Sequence, residues 1–138
     1  MPSSADLKYL VRRWFDEVWN QGRQDTIDAL LTSDSIVHGL SDASGQPVHG
    51  PAGFRTFYDR FRSAFSDIHI AIDDMLAEGD KVCARFTFEA IHSGADLGPA
   101  PTGRRIRITG LCISRWRDGR IAEAWNEFDA AGMMAQMS

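Results

Sequence analysis

Apolar residues open the chain at helical spacing: Leu7, Leu10, Val11, Trp14, Phe15, Val18 and Trp19 recur every three or four positions. That stripe follows a period of about 3.6 and predicts a helix, with Ser3 or Ser4 as its cap and Gly22 as its stop. A short second helix is expected from Asp25, turning Ile27, Leu30 and Leu31 inward. Ser35 to His38 reads as a brief strand. The stretch from Ser41 to Gly53 holds three glycines and two prolines and reads as a loop. Pro51 sits where a helix favours its first residue, and Phe54, Phe57, Tyr58, Phe61 and Phe65 form a second aromatic stripe.

After Asp67 the period falls to two. Ile68, Ile70 and Ile72 alternate with polar residues, and Val82, Ala84, Phe86 and Phe88 do so again beyond the Glu78-Gly79-Asp80 turn. Ser93 to Gly103 is rich in glycine and proline, hence a loop. Ile106 and Ile108 begin a strand whose larger apolar residues then shift to Leu111, Ile113 and Trp116, which predicts a bulge or bend at Gly110. Asp118-Gly119 is a hairpin turn, Ile121 to Asp129 the last strand, and Met133 to Met137 at most a turn of helix. Helices first and a four-strand meander afterwards predict an α+β layer with a concave space between sheet and helices.

The 138 residues fit one domain spanning 1–138, large enough to bury a core without disulfides or a metal. With 43% hydrophobic and 25% charged residues, the chain is globular in composition. A net charge of −4 argues against nucleic acid as a partner. The N-terminal segment has no signal-peptide core and no apolar run reaches bilayer length, so a cytoplasmic protein off the membrane is expected. Cys83 and Cys112 lie in strand-like runs and read as free thiols.

Candidate chemistry is sparse. The four histidines, His38, His49, His69 and His92, show no metal-ligand spacing, so no metal is expected. Phosphate-loop, dinucleotide, serine-hydrolase and zincin motifs are absent from the sequence. Glu123, Trp125, Glu127 and Asp129 share one strand face, which reads either as a solvated face or as a carboxylate held near a tryptophan. Desolvation in an apolar pocket would favour the neutral form of such a carboxylate.

The runs Arg85 to Gly94, Pro101-Thr-Gly-Arg104, Gly110 and Arg117 to Asp129, with Trp19-Asn20, His38-Gly39 and Gly50 to Phe54 upstream, resemble the SnoaL-like polyketide (ester) cyclases of the NTF2-like superfamily. The resemblance implies an α+β cone, a curved antiparallel sheet wrapped over N-terminal helices, dimerised through the sheet. It implies cofactor-independent acid/base chemistry in an intramolecular aldol closure, with Asp129 of the Trp-x-x-x-Asp pattern as the acid/base. His92 is kept from the family's Gly-Thr-His-x-Gly, here Ala90-Ile-His-Ser-Gly94.

On this basis Asp129 and His92 are the expected catalytic pair, inside the cone. Trp14, His38, Phe57, Phe61, Arg85 and Trp125 are the expected contacts to a small hydrophobic substrate. Isomerase, dehydratase or epoxide hydrolase chemistry on the same cone, or a non-enzymatic binding module, are the competing expectations.

Overall fold

The computed structural model describes residues 3–41 and 45–138. The predicted first helix forms in two parts, α1 (Ser4–Arg13) and a π-helix over Trp14–Asn20. Ser3 caps α1: its hydroxyl accepts from the Asp6 N–H at 3.1 Å while the Asp6 carboxylate accepts from the Ser3 N–H at 3.2 Å. The wider π turn lets Trp14, Phe15, Val18 and Trp19 all be buried. Asn20 ends the π-helix by pairing its side-chain amide with both the N–H and the C=O of Ile70.

Helix α2 (Asp25–Leu30) runs directly into β1 (Leu31–Ser41), much longer than the brief strand expected. The expected loop contains a three-residue strand, β2 (Pro47–His49), and residues 42–44 of it lie outside the described residues. Helix α3 (Gly50–Ala64) starts with Pro51 in its first turn and buries Phe54, Phe57, Tyr58 and Phe61. Phe65 is buried too, but as the first residue of β3 (Phe65–Glu78). The meander follows as β4 (Lys81–His92), β5 (Arg105–Arg117) and β6 (Arg120–Phe128), and α4 (Ala130–Gln136) closes the chain.

Six strands make one sheet in the order β2-β1-β6-β5-β4-β3. It is antiparallel except where β1 lies parallel to β6. Asp118 and Gly119 both take positive φ, 53° and 79°, the geometry of a tight hairpin turn. The α+β cone expected from the sequence is the fold observed.

The bulge expected at Gly110 is not there. Pairing of β5 with β4 is unbroken from Arg105 to Arg115, and the register slips instead between Arg115 and Trp116, against β6. Leu111 and Ile113 therefore stay on the outer face, while Ile106, Ile108 and Trp116 point inward. Gly110 serves close approach: a Cβ there would sit 2.6 Å from the Phe86 ring and 2.8 Å from the Glu127 carbonyl.

Candidate active site

The inner face of the sheet and the aromatic faces of the π-helix and α3 enclose a cavity of about 80 Å³. Trp14, Phe57 and Phe61 line it, as the sequence suggested, together with Phe86, Phe88 and Trp116. Edge-on and tilted ring contacts tie this wall together, including Phe61 to Phe88 at 5.4 Å and Trp14 to Phe54 at 5.1 Å. Tyr58 braces it by donating its hydroxyl to the Val18 carbonyl at 2.8 Å. Among the described residues that line the cavity none is charged, and Cys112, Ser114 and Asn126 are the polar ones.

Each of these three has a definite state. The Ser114 hydroxyl accepts from the Trp116 indole N–H at 2.9 Å. Cys112 lines the cavity, and burial, with a smaller effect of Cys83, pushes its thiol up to about 12. It is a soft wall, not a nucleophile. Asn126 donates from its amide to the His38 carbonyl at 3.1 Å, clamping β6 to β1.

A second space of about 430 Å³ lies alongside and shares Phe57, Phe61, Asn126 and Phe128 with the first. Arg60, Glu127, Ala130 and Met133 complete its wall. This space, the vestibule, adjoins the aromatic cavity at the four shared side chains. Phe128 and Ala130, the chain neighbours of Asp129, both line it, while the exposed Asp129 carboxylate lies outside that lining.

Several expected site residues lie elsewhere. Asp129 was expected inside the cone beside Trp125; it is exposed, just past the end of β6, and its carboxylate accepts the Gly132 N–H at 2.9 Å as the cap of α4. Trp125 faces outward, because Ala124, Asn126 and Phe128 take the inward positions of β6. Its ring stacks on His38 at 5.6 Å, so His38 is also outside the cavity. There the His38 Nε2 meets Glu123 at 2.7 Å, and Arg115 lies 3.5 Å from the same carboxylate. The His38 hydrogen bond holds the Glu123 carboxyl below its usual range, against some desolvation and aided by Arg115.

Arg85, expected at the substrate, is exposed on the outer face, opposite Asp74 and Leu111, and does not line the cavity. His92 does point inward, but at the strand's end, sealed from the cavity. It is fully buried, its Nδ1 accepts the Thr102 N–H at 3.4 Å, and its ring packs 6.0 Å from Phe65. Its role in the structure is to hold the 101–104 segment against β4. Among the described residues no three His, Cys, Asp or Glu side chains come together to hold a metal ion.

Asn126, Cys112 and Ser114 were missed. Parity was the available signal for Cys112 and Ser114, which must follow Ile106, Ile108 and Trp116 inward; for Asn126 the alternation within β6 gives two faces and not which of them is the inner one.

Comparison with known proteins agrees with this architecture. The family profile for SnoaL-like polyketide cyclases matches residues 9–137. No curated protein matches the chain significantly. Among solved structures, TsrD from Streptomyces laurentii is 27% identical, with 100% of this chain and 98% of that one covered, at a TM-score of 0.86. IdmH from Streptomyces antibioticus is 30% identical over 94% of this chain and 96% of its own, at a TM-score of 0.82. A Catenulispora acidiphila protein with a ketosteroid isomerase-like fold is 16% identical, covers 93% and 91%, and has a TM-score of 0.75. That last likeness is one of fold alone.

Proposed function

The chain belongs to the SnoaL-like polyketide cyclase family, and from that premise we propose that it closes a ring in a hydrophobic, carbonyl-bearing, polyketide-like substrate by an intramolecular aldol-type step. The observation that carries the reading is an uncharged aromatic cavity that shares Phe57, Phe61, Asn126 and Phe128 with the vestibule, which both chain neighbours of Asp129 line. Ligand sites typically measure about 300–1,000 Å³, so a polyketide-sized molecule has to occupy both spaces. Its apolar end goes inward and its oxygenated end stays in the vestibule.

In this reading Asp129 works beside the vestibule rather than in the depth of the cavity. Its carboxylate takes a proton from carbon next to one carbonyl; the enolate carbon forms the new C–C bond to a second carbonyl; the proton returns to the alkoxide oxygen. The step is redox-neutral and calls for no oxidant or reductant. Asp129→Asn tests it cleanly, because asparagine caps a helix as well as aspartate does. Turnover of a linear poly-β-ketone ester, followed by mass spectrometry, should fall by about 10² to 10⁴ while helix content is kept. Unchanged turnover removes Asp129 from the mechanism.

The small inner volume and the exposure of Asp129 also favour a second reading, a small-molecule-binding module. It predicts retained ligand and no turnover by the wild type.

Either reading is proposed for a homodimer paired through the outer sheet face. Leu76, Cys83, Ile113 and Trp125 lie opposite one another across β3, β4, β5 and β6, so they form one lateral row. Leu76 is 69% and Ile113 41% exposed. Lys81, Arg115 and Glu123 form the neighbouring row, charges of both signs that a second copy can match.

A further inference from the structure

Asn126 is the polar side chain common to the walls of both the inner cavity and the vestibule. Everything else they share is aromatic: Phe57, Phe61 and Phe128. The boundary between the two spaces, the neck, is therefore made of three phenyl rings and one amide.

The amide's orientation is set by the backbone. A carbonyl can only accept, so the Asn126 bond to the His38 carbonyl places the Nδ2 side of the amide toward β1. Gly39 lets the two backbones approach here, since a side chain there would run into the Asn126 main-chain carbonyl. One amide N–H is used by that bond. The other N–H and the Oδ1 make no hydrogen bond to a described residue and remain available to the spaces Asn126 lines. A donor held by a strand and surrounded by phenyl rings is worth more than the same donor in water, because nothing nearby competes for its partner.

We propose that Asn126 is the group that orients the ligand, donating a hydrogen bond to a carbonyl oxygen lodged in the neck. It sets which end of the molecule enters the aromatic cavity and where its carbonyl stops, three residues from Asp129 along the chain. This rests on the site described under the proposed function, but not on ring closure or on Asp129.

The test is a matched pair of small aromatic probes: acetophenone, and α-methylstyrene, in which a methylene replaces the ketone oxygen. Both are titrated into wild-type protein and Asn126→Leu by NMR chemical-shift perturbation. Wild type should prefer acetophenone, and the variant should lose acetophenone affinity about 5- to 10-fold, the worth of one hydrogen bond, with α-methylstyrene unchanged. A merely structural role would weaken both probes together, and that result overturns the proposal. So does failure of either probe to bind wild type saturably, or equal affinity of the ketone for both proteins. If Asn126→Leu does not fold, Asn126→Ser, whose hydroxyl ends short of the neck, must show the same selective loss. Loss of turnover in Asp129→Asn leaves these affinities in place, so the failure of one proposal is distinguishable from the failure of the other.

Discussion

On the inner side of β4 and β5, Phe86, Phe88, Ile108 and Trp116 turn toward the helices, while Arg85, Thr87, Glu89, Arg107 and Arg115 occupy the outer side of the same two strands. Residues adjacent in sequence thus meet opposite environments, because successive strand side chains point to opposite faces of the sheet. The inner side packs rings and tolerates three polar groups, each with a defined partner or state. The outer side carries ion pairs such as Arg107 with Glu89 at 3.3 Å, next to an apolar row left uncovered by helices. The contrast shows why a carboxylate beside a tryptophan is a poor guide to a buried acid. Both groups can lie on the charged side, as Glu123 and Trp125 do.

The contrast is most sharply tested by truncating each side in turn. Phe88→Ala, which removes a ring from the inner wall, should cost about 3–5 kcal/mol, whereas Arg85→Ala, three residues away on the same strand and so on the other side, should cost no more than about 0.5 kcal/mol. Urea unfolding reads both, and comparable losses would break the distinction.

The outer row gives the next largest effect. Wild type should scatter light as a species of twice 15.4 kDa, and Ile113→Glu should return it to 15.4 kDa with its fold intact. A wild type that is monomeric at micromolar concentration would leave the exposed row without a partner copy.

The smallest effect is electrostatic. Because the His38 hydrogen bond lowers the Glu123 carboxyl below its ordinary 4.5, the folded state binds that proton less readily than the unfolded chain. The stabilisation is therefore complete above the ordinary value and disappears as pH falls through the lowered one. Thermal melts from pH 7 to pH 3 should show wild type losing its advantage over Glu123→Gln only in that acid window. A difference that is constant with pH would remove the pair from the energetics of the outer face.

Much of the fold is legible in the residue pattern. The period-two runs of β3 to β6 and the Asp118-Gly119 turn are local signals, because alternation and positive φ are properties of neighbours in the chain. The extent of β1 is not legible that way. It is a strand because the distant β6 pairs with it through Ile36, Val37 and His38. The site divides along the same line. Trp14, Phe57 and Phe61 were readable from helical stripes, whereas Asp129, Trp125, His38 and Arg85 were assigned to an interior they do not reach.

By itself, then, the order of apolar and polar residues determined the α+β class, the aromatic wall and the family pattern, since each depends on spacing along one segment. Which side of β6 faces the cavity was decided only in three dimensions. The register slip between Arg115 and Trp116 changes how β6 sits against β5, and the start of α4 turns Asp129 into a cap with its carboxylate exposed. A one-residue slip exchanges the two faces of a strand, and only the partner strand records it.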